Sequence, residues 1–243
     1  MKSIIICEGN TDSYLLQNLM KNAFGWNILN KSSFTQSRFN VDCEKNGNIA
    51  TISVAGDSNK ISETFGKVLA YNLIAADQER YQKIILVTDN DVPDTKEKQI
   101  ESFVKTIQDI YKSDFSVCNF IEHDWNNVIA TNKMNDAVQT DILLIMLPPD
   151  GNGALETFLL ESASQKDTYD GKIVDRCNVF VEGIDEQKRY LKKARQITKA
   201  KFNVYMSIVT ASVPYKQQEN LLKAYPWKNN EVVLTTFSKL KEL

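Results

Sequence analysis

The sequence is poor in the side chains that most often bind transition metals or build disulfide frameworks. It has one histidine, His123, and its four cysteines, Cys7, Cys43, Cys118 and Cys177, form no Cys-x-x-Cys pair. Neither a zinc knuckle nor a disulfide scaffold is indicated, and we expect reduced, structural thiols. No apolar run approaches the roughly 18 to 20 residues of a membrane span, which predicts a cytoplasmic protein without a membrane partner.

The chain also lacks an excess of positive charge. Its 29 Lys and Arg residues stand against 31 Asp and Glu residues, for a net charge of −2. This balance argues against a protein that coats nucleic acid, so any contact with nucleic acid must be local. A basic cluster late in the chain is either a solvated helix face or such a contact. Its members are Lys188, Arg189, Lys192, Lys193, Arg195, Lys199 and Lys201.

Short apolar runs alternate with amphipathic stretches over about the first 120 residues. This pattern is typical of βαβ units and predicts an α/β fold with a mainly parallel sheet flanked by helices. Residues 27–48 form a polar stretch that interrupts the alternation. The predicted strands are residues 3–7, 50–55, 83–87, 115–120 and 142–147, and the predicted helices are residues 11–24, 60–76 and 94–112.

The last third of the chain begins with a turn-forming segment, PPDGNG, at residues 148–153. A helix over residues 154–162 and a basic helix over residues 186–201 are predicted to follow it. We therefore expect one domain over residues 1–161, with an insertion at about 27–49. Residues 162–243 are predicted to be a mainly helical C-terminal cap that packs on the same domain.

Acidic residues follow two of the predicted strands. Glu8 comes directly after the first strand in IIICEGNTD, and Asp89 and Asp91 follow the third in LVTDND. Open α/β sheets bind ligands at the carboxyl ends of their strands. If these strands are neighbours, the carboxylates converge and need protons or a cation to be stable. Oxygen ligands without His or Cys favour Mg²⁺ or Mn²⁺.

An apolar strand ending in Glu-Gly-x-x-Asp, followed by a later strand ending in Asp-x-Asp, resembles the Toprim domain. This domain is shared by topoisomerases, bacterial primases, certain small ribonucleases and the overcoming-lysogenisation-defect (OLD) nucleases. The resemblance covers about residues 1–161 and implies a Toprim-like, Rossmann-like fold. It also implies that Glu8, Asp89 and Asp91 form the metal site. No ATPase, zinc or helicase module accompanies the domain, so a partner protein such as an ATPase would act in trans.

The segment LPPDGNGALE extends the resemblance to stand-alone bacterial Toprim-related proteins similar to the nuclease half of the OLD enzymes. In those proteins a further glutamate joins a second metal, and Glu156 is the matching position. A lysine from a later helix also enters the site, and both Lys199 and Lys201 match it. Some relatives of this kind act in defence.

Each acidic residue also has a simpler interpretation. Asp12 either joins the metal shell or caps the helix that starts near it. Glu156 either binds the second metal or interacts with the helix dipole from the first turn. Asp89 and Asp91 could be ordinary turn residues at a strand end, although their pairing with Glu8 favours a metal site.

The resemblance implies a nuclease that uses one or two Mg²⁺ or Mn²⁺ ions on DNA or RNA. Glu8 would be a ligand or general base, and Lys199 or Lys201 would stabilise developing charge. Spacings of three or four place Lys188, Lys192, Arg195 and Lys199 on one face of the predicted basic helix, as a path for the substrate backbone. The alternative is a regulatory subunit that binds metal, nucleotide or a partner protein without hydrolysis.

Overall fold

A seven-stranded mixed sheet organises the chain, in the order β2-β3-β4-β1-β5-β7-β6. The structure is a computed structural model that describes residues 1–29, 40–112, 115–117, 120–212 and 218–243. The strands are β1 (Lys2–Cys7), β2 (Asn27–Ile28), β3 (Asn40–Lys45), β4 (Asn48–Val54), β5 (Tyr81–Asp89), β6 (Asn126–Thr131) and β7 (Ala137–Leu147).

The four central strands, β4, β1, β5 and β7, run parallel, and antiparallel strands extend both edges. The central strands carry continuous apolar runs such as IIIC and ILLIML, which suit strands that are buried on both faces. The predicted α/β fold with a helix-flanked, mostly parallel sheet is confirmed. The edges make the sheet mixed.

Helices cover both faces of the sheet. One face packs against α2 (Ser58–Ile74) and α3 (Thr95–Tyr111). The other packs against α1 (Asn10–Asn22), α4 (Leu155–Ser164) and the C-terminal segment. None of the described helices is long and apolar enough to cross a bilayer. The remaining helices are α5 (Thr168–Ile184), α6 (Ala194–Val209), α7 (Gln218–Ala224) and α8 (Glu231–Thr236).

The C-terminal segment shares a core with the sheet. Trp227 and Phe237 are fully buried together with Ile5 and Val87 from the central strands. The predicted boundary after residue 161 falls inside α4. The division of the chain at that residue stays a prediction.

The cysteines that the structure describes, Cys7, Cys43 and Cys177, are free and buried. Burial raises the pKa of each of these three thiols. Reduced, structural thiols were expected, and the free, buried state of these three cysteines agrees with that expectation. Cys118 lies outside the described residues.

One prediction about strands is wrong. The described residues of 115–120 form no strand, because Phe115 and Phe120 turn their rings towards each other, with centroids 6.3 Å apart, against the core beside α3. The edge strand at this side is β6 instead. The polar stretch 27–48 contributes β2, β3 and the first residue of β4, so it extends the sheet; residues 30–39 lie outside the described part.

The predicted basic helix over residues 186–201 is also wrong in its first half, since α6 begins only at Ala194. The carboxylate of Asp185 accepts hydrogen bonds from the backbone N–H groups of Arg189, Tyr190 and Leu191, at 2.7 to 3.0 Å. Such side-chain bonds to the backbone compete with helix formation. Lys188 and Lys192 therefore precede the helix, and the predicted four-residue stripe does not form.

Asn72 anchors the start of β5 through two hydrogen bonds to its backbone. Its buried side chain donates to the Tyr81 carbonyl at 2.8 Å and accepts from the Tyr81 N–H at 2.9 Å. We expect Asn72→Ala to lower the free energy of unfolding by about 1 to 3 kcal/mol, because buried backbone groups lose their partner.

Urea denaturation followed by circular dichroism measures this loss. The matched control is Gln82→Ala, at an exposed position of the same strand, which should change the stability by less than about 0.5 kcal/mol. Equal losses in the two variants would contradict the anchoring role of Asn72.

Candidate functional site

A cleft of about 170 Å³ opens at the carboxyl ends of the parallel neighbours β1 and β5. It collects the five predicted acidic ligands and two of the predicted cations, so the convergence expected from the sequence is present. Their roles as ligands stay predictions. The cleft is lined by Glu8, Gly9, Thr11, Asp12, Gly56, Asp57, Asp89, Asp91, Leu155, Glu156, Arg195 and Lys199.

Protein hydrogen bonds orient the carboxylates of Glu8 and Asp89. Oε1 of Glu8 accepts from the Thr88 hydroxyl at 2.5 Å and from the Asp89 N–H at 2.9 Å. Oδ1 of Asp89 accepts from the Leu155 N–H, at the start of α4, at 2.9 Å. One oxygen of each carboxylate is thus tied to the protein frame, which fixes where the second oxygen lies.

Asp12 is not the N-cap of α1, and its role as a metal ligand stays a prediction. Gly9 is the N-cap of α1, and its N–H donates to Oδ2 of Asp12 at 2.6 Å, so Asp12 holds the helix start from the third helical position. The same side chain is only 8% exposed and lines the cleft. Asp12 therefore adds a buried acidic group beside Glu8 and Asp89.

The buried carboxyl groups resist simultaneous ionisation. Burial, together with the charges of Asp12, Glu8 and Asp91, raises the pKa of Asp89 to about 9. Burial also raises the pKa of Asp12 to about 7, against the hydrogen bond from Gly9 that lowers it. Desolvation and like charge are the two physical causes, and a bound cation would oppose both.

The structure distinguishes the two candidate lysines. Glu156, at the second position of α4, is 4% exposed, and the Lys199 Nζ lies 3.5 Å from its Oε1. Lys201 instead forms an ion pair with Glu182 at 2.5 Å and does not line the cleft. Arg195 lies one helical turn before Lys199 and also lines the cleft.

Two residues that the sequence analysis passed over hold the site together. Thr88 orients Glu8, and Asn90 binds the loop between β7 and α4, because its Nδ2 donates to the Gly151 carbonyl at 2.6 Å. The Asn90 carbonyl accepts from the Gly153 N–H at 2.8 Å. Gly153 has φ +154, and a Cβ there would approach the Thr157 side chain at 2.6 Å. The position of Asn90 between Asp89 and Asp91, directly after a predicted strand, is the sequence feature that could have identified it.

The donor set fits a hard cation, although the side chains would have to move to bind one. Within the described ranges, no three Asp, Glu, His or Cys side chains are placed so that they could hold a metal ion. The cleft nevertheless offers carboxylate oxygens without nitrogen or sulfur ligands, which is the preference of Mg²⁺ and Mn²⁺.

A larger cavity, of about 750 Å³, lies between the loop after β7 and the C-terminal segment. His123 and Lys166 are among its lining residues, but Lys166 is held by Asp170 at 2.6 Å. Burial lowers the pKa of His123, which favours its neutral form. None of the predicted acidic ligands lines this cavity.

The chain was compared with known proteins. A search of curated proteins found no match to it. Among solved structures, it is similar to a hypothetical protein from Pyrococcus horikoshii OT3, with 16% identity and a TM-score of 0.54 over 99% of this chain and 98% of that one. Likeness at this identity concerns the fold alone. The family model described as "Protein of unknown function (DUF3226)" matches residues 2–240. Since this match spans nearly the whole sequence, the chain belongs to the DUF3226 family.

Proposed function

We propose that the acidic cleft binds divalent cations and hydrolyses phosphodiester bonds in nucleic acid, on a Toprim-like domain. The convergence of Glu8, Asp12, Asp89, Asp91 and Glu156 at the ends of neighbouring parallel strands is the observation that carries this proposal. The resemblance of these motifs to Toprim nucleases supplies the reaction class. The parallel central strands are compatible with such a domain.

Charge explains why this cleft would take a cation. Several carboxylates share a small, largely buried space, and like charges at close range are costly unless they are neutralised. Lys199 forms an ion pair with Glu156. Among the described residues, Glu8, Asp12 and Asp89 form no ion pair. A divalent ion is the simplest way to neutralise that group.

The cations would activate water and stabilise the leaving oxygen of the substrate when bound. Glu8 is positioned by Thr88 and the Asp89 N–H to be a ligand or a general base. Lys199 and Arg195 project from α6 into the cleft, where their N–H groups can donate to phosphate oxygens. Such donors stabilise the charge that develops on phosphate during cleavage.

Metal binding is tested first by thermal unfolding. A cation that binds only the folded state should raise the melting temperature by about 5 to 10 °C at a hundredfold excess over its Kd. Asp89→Asn and Asp91→Asn should each reduce this shift strongly. Asp94→Asn removes the same charge from an exposed residue outside the cleft and should keep the full shift. A full shift in the two cleft variants would place the cations elsewhere.

The pH dependence of the metal-free protein provides a second test. The pKa values of Asp12 and Asp89 are raised in the folded state, to about 7 and about 9. Their contribution to stability is therefore complete below the unfolded-state pKa of about 4 and is lost as the pH rises through the folded-state values.

In chelator, the melting temperature of the wild type should fall between pH 5 and pH 9 more steeply than that of Asp89→Asn. One titrating group changes the free energy of unfolding by at most about 1.4 kcal/mol per pH unit, which limits the difference between the two proteins. Asp94→Asn is again the control and should keep the wild-type slope. Identical slopes for the wild type and Asp89→Asn would contradict the raised pKa of Asp89.

Hydrolysis itself is tested with labelled single-stranded and duplex DNA and RNA in the presence of Mn²⁺. Asp89→Ala should abolish cleavage, and Lys199→Ala should slow it at least about tenfold, because a cation near the reacting phosphate is lost. Lys201→Ala is the matched control, since Lys201 pairs with Glu182 outside the cleft. Metal binding without any cleavage would support the alternative of a non-catalytic subunit.

A further inference from the structure

A loop rich in positive charge leads into the helix that lines the acidic cleft. This basic loop, residues 188–193, contains Lys188, Arg189, Lys192 and Lys193 and no acidic residue. None of the four cations forms a salt bridge with a residue that the structure describes, although the charge of Lys192 helps to lower the pKa of the nearby Asp185 carboxyl. In a chain with a net charge of −2, such a concentration of positive charge is a local feature. It is suited to a polyanionic ligand.

Hydrogen bonds hold the backbone of the basic loop in a defined shape. Asp185 accepts from three backbone N–H groups of the loop, and these bonds keep the pKa of its carboxyl below the usual value. Oε1 of Gln196 accepts from the N–H groups of Lys192 and Lys193, each at 2.9 Å. A loop that is already ordered loses less conformational entropy when it binds a ligand.

The basic loop also exposes an aromatic ring. Tyr190 is 69% exposed, and the guanidinium carbon of Arg189 lies 5.4 Å from the ring centroid. One face of the ring is thus covered by a cation, while the ring as a whole stays largely open to solvent. Nucleobases stack on exposed aromatic rings of this kind, and neighbouring arginines strengthen the contact.

The basic loop continues into the helix that lines the cleft. Lys193 is the N-cap of α6, and Arg195 and Lys199, on the same helix, line the cleft. The six steps from Lys193 to Lys199 cover about 9 Å of helix.

We propose that the basic loop binds single-stranded nucleic acid, with one base stacked on Tyr190 and the adjoining phosphates on the loop cations. The strand would then pass along Arg195 and Lys199 towards the cleft, a direction that rests on the proposed nuclease function. A single strand fits better than a duplex because the faces of paired bases are already stacked on each other and cannot reach Tyr190.

The test measures binding without metal, so that cleavage does not interfere. Fluorescein-labelled oligothymidine and oligouridine of about 12 nucleotides, and a duplex of the same length, are titrated with the full chain in EDTA and followed by anisotropy. Tyr190→Ala should weaken single-strand binding about 5- to 100-fold, while Tyr190→Phe, which keeps the ring, should bind nearly as the wild type does. The two oligonucleotides separate DNA from RNA as the source of the strand.

Tyr169→Ala is the matched control. Tyr169 is 74% exposed but lies beside Asp167 and Asp170 in α5, away from the basic loop in sequence, and its loss should leave the affinity unchanged. Replacing Lys188, Lys192 and Lys193 together by Gln should lower the slope of log affinity against log salt by about 2, at about 0.7 for each lost phosphate contact on a single strand.

Three results would overturn the inference: an unchanged affinity in Tyr190→Ala, an equal loss in Tyr190→Phe, or tighter binding of the duplex. The test also stands apart from the nuclease proposal. The binding assay contains EDTA, so its result does not depend on metal-dependent cleavage. Binding that depends on Tyr190 in a protein that never cleaves would keep the loop assignment and reject only the nuclease function.

Discussion

Repulsion among buried carboxylates is the constraint around which the candidate site is built. Glu8 and Asp89 lie at the carboxyl ends of the paired strands β1 and β5, and the Glu8 carboxylate accepts a hydrogen bond from the Asp89 N–H, which holds the two residues close together. Asp12 is held nearby by its bond to the Gly9 N–H. The carboxyl groups are therefore held close together in a largely buried cleft, where they are stable only when they bind protons or a cation. The carboxyl groups meet in one cleft because β1 and β5 are neighbours in the sheet.

The C-terminal half supplies the cations of the site and one further carboxylate. Glu156 enters the cleft from the start of α4, and α6 places Lys199 beside it. These helices share their core with the sheet through residues such as Phe158 of α4 and Phe202 of α6, so the cations are positioned by the main fold. A chain with a net charge of −2 thus presents a local cationic surface next to its acidic cleft. That juxtaposition suits a phosphate-bearing ligand.

The sequence predicted the central strands and the acidic cleft for one physical reason. Strands buried on both faces require continuous apolar runs, and the residues directly after them lie at one edge of the sheet. The edge strand β6 escaped prediction because it begins with the polar pair Asn126 and Asn127 and half of its residues are exposed. The basic helix was predicted too long because the capture of three backbone N–H groups by Asp185 is a local bond that periodicity does not register. Sequence spacing also could not choose between Lys199 and Lys201, since tertiary packing of α6 decides which one reaches Glu156.

The central claim is that cations bind between the ends of β1 and β5. It is tested most directly by anomalous diffraction at the manganese edge from crystals soaked in Mn²⁺. We expect an anomalous peak in the cleft, with oxygens of Glu8 and Asp89 at about 2.0 to 2.6 Å from the ion and Asp91 or Glu156 close by. An occupied manganese position elsewhere on the molecule, with no peak in the cleft at saturating Mn²⁺, would contradict the claim.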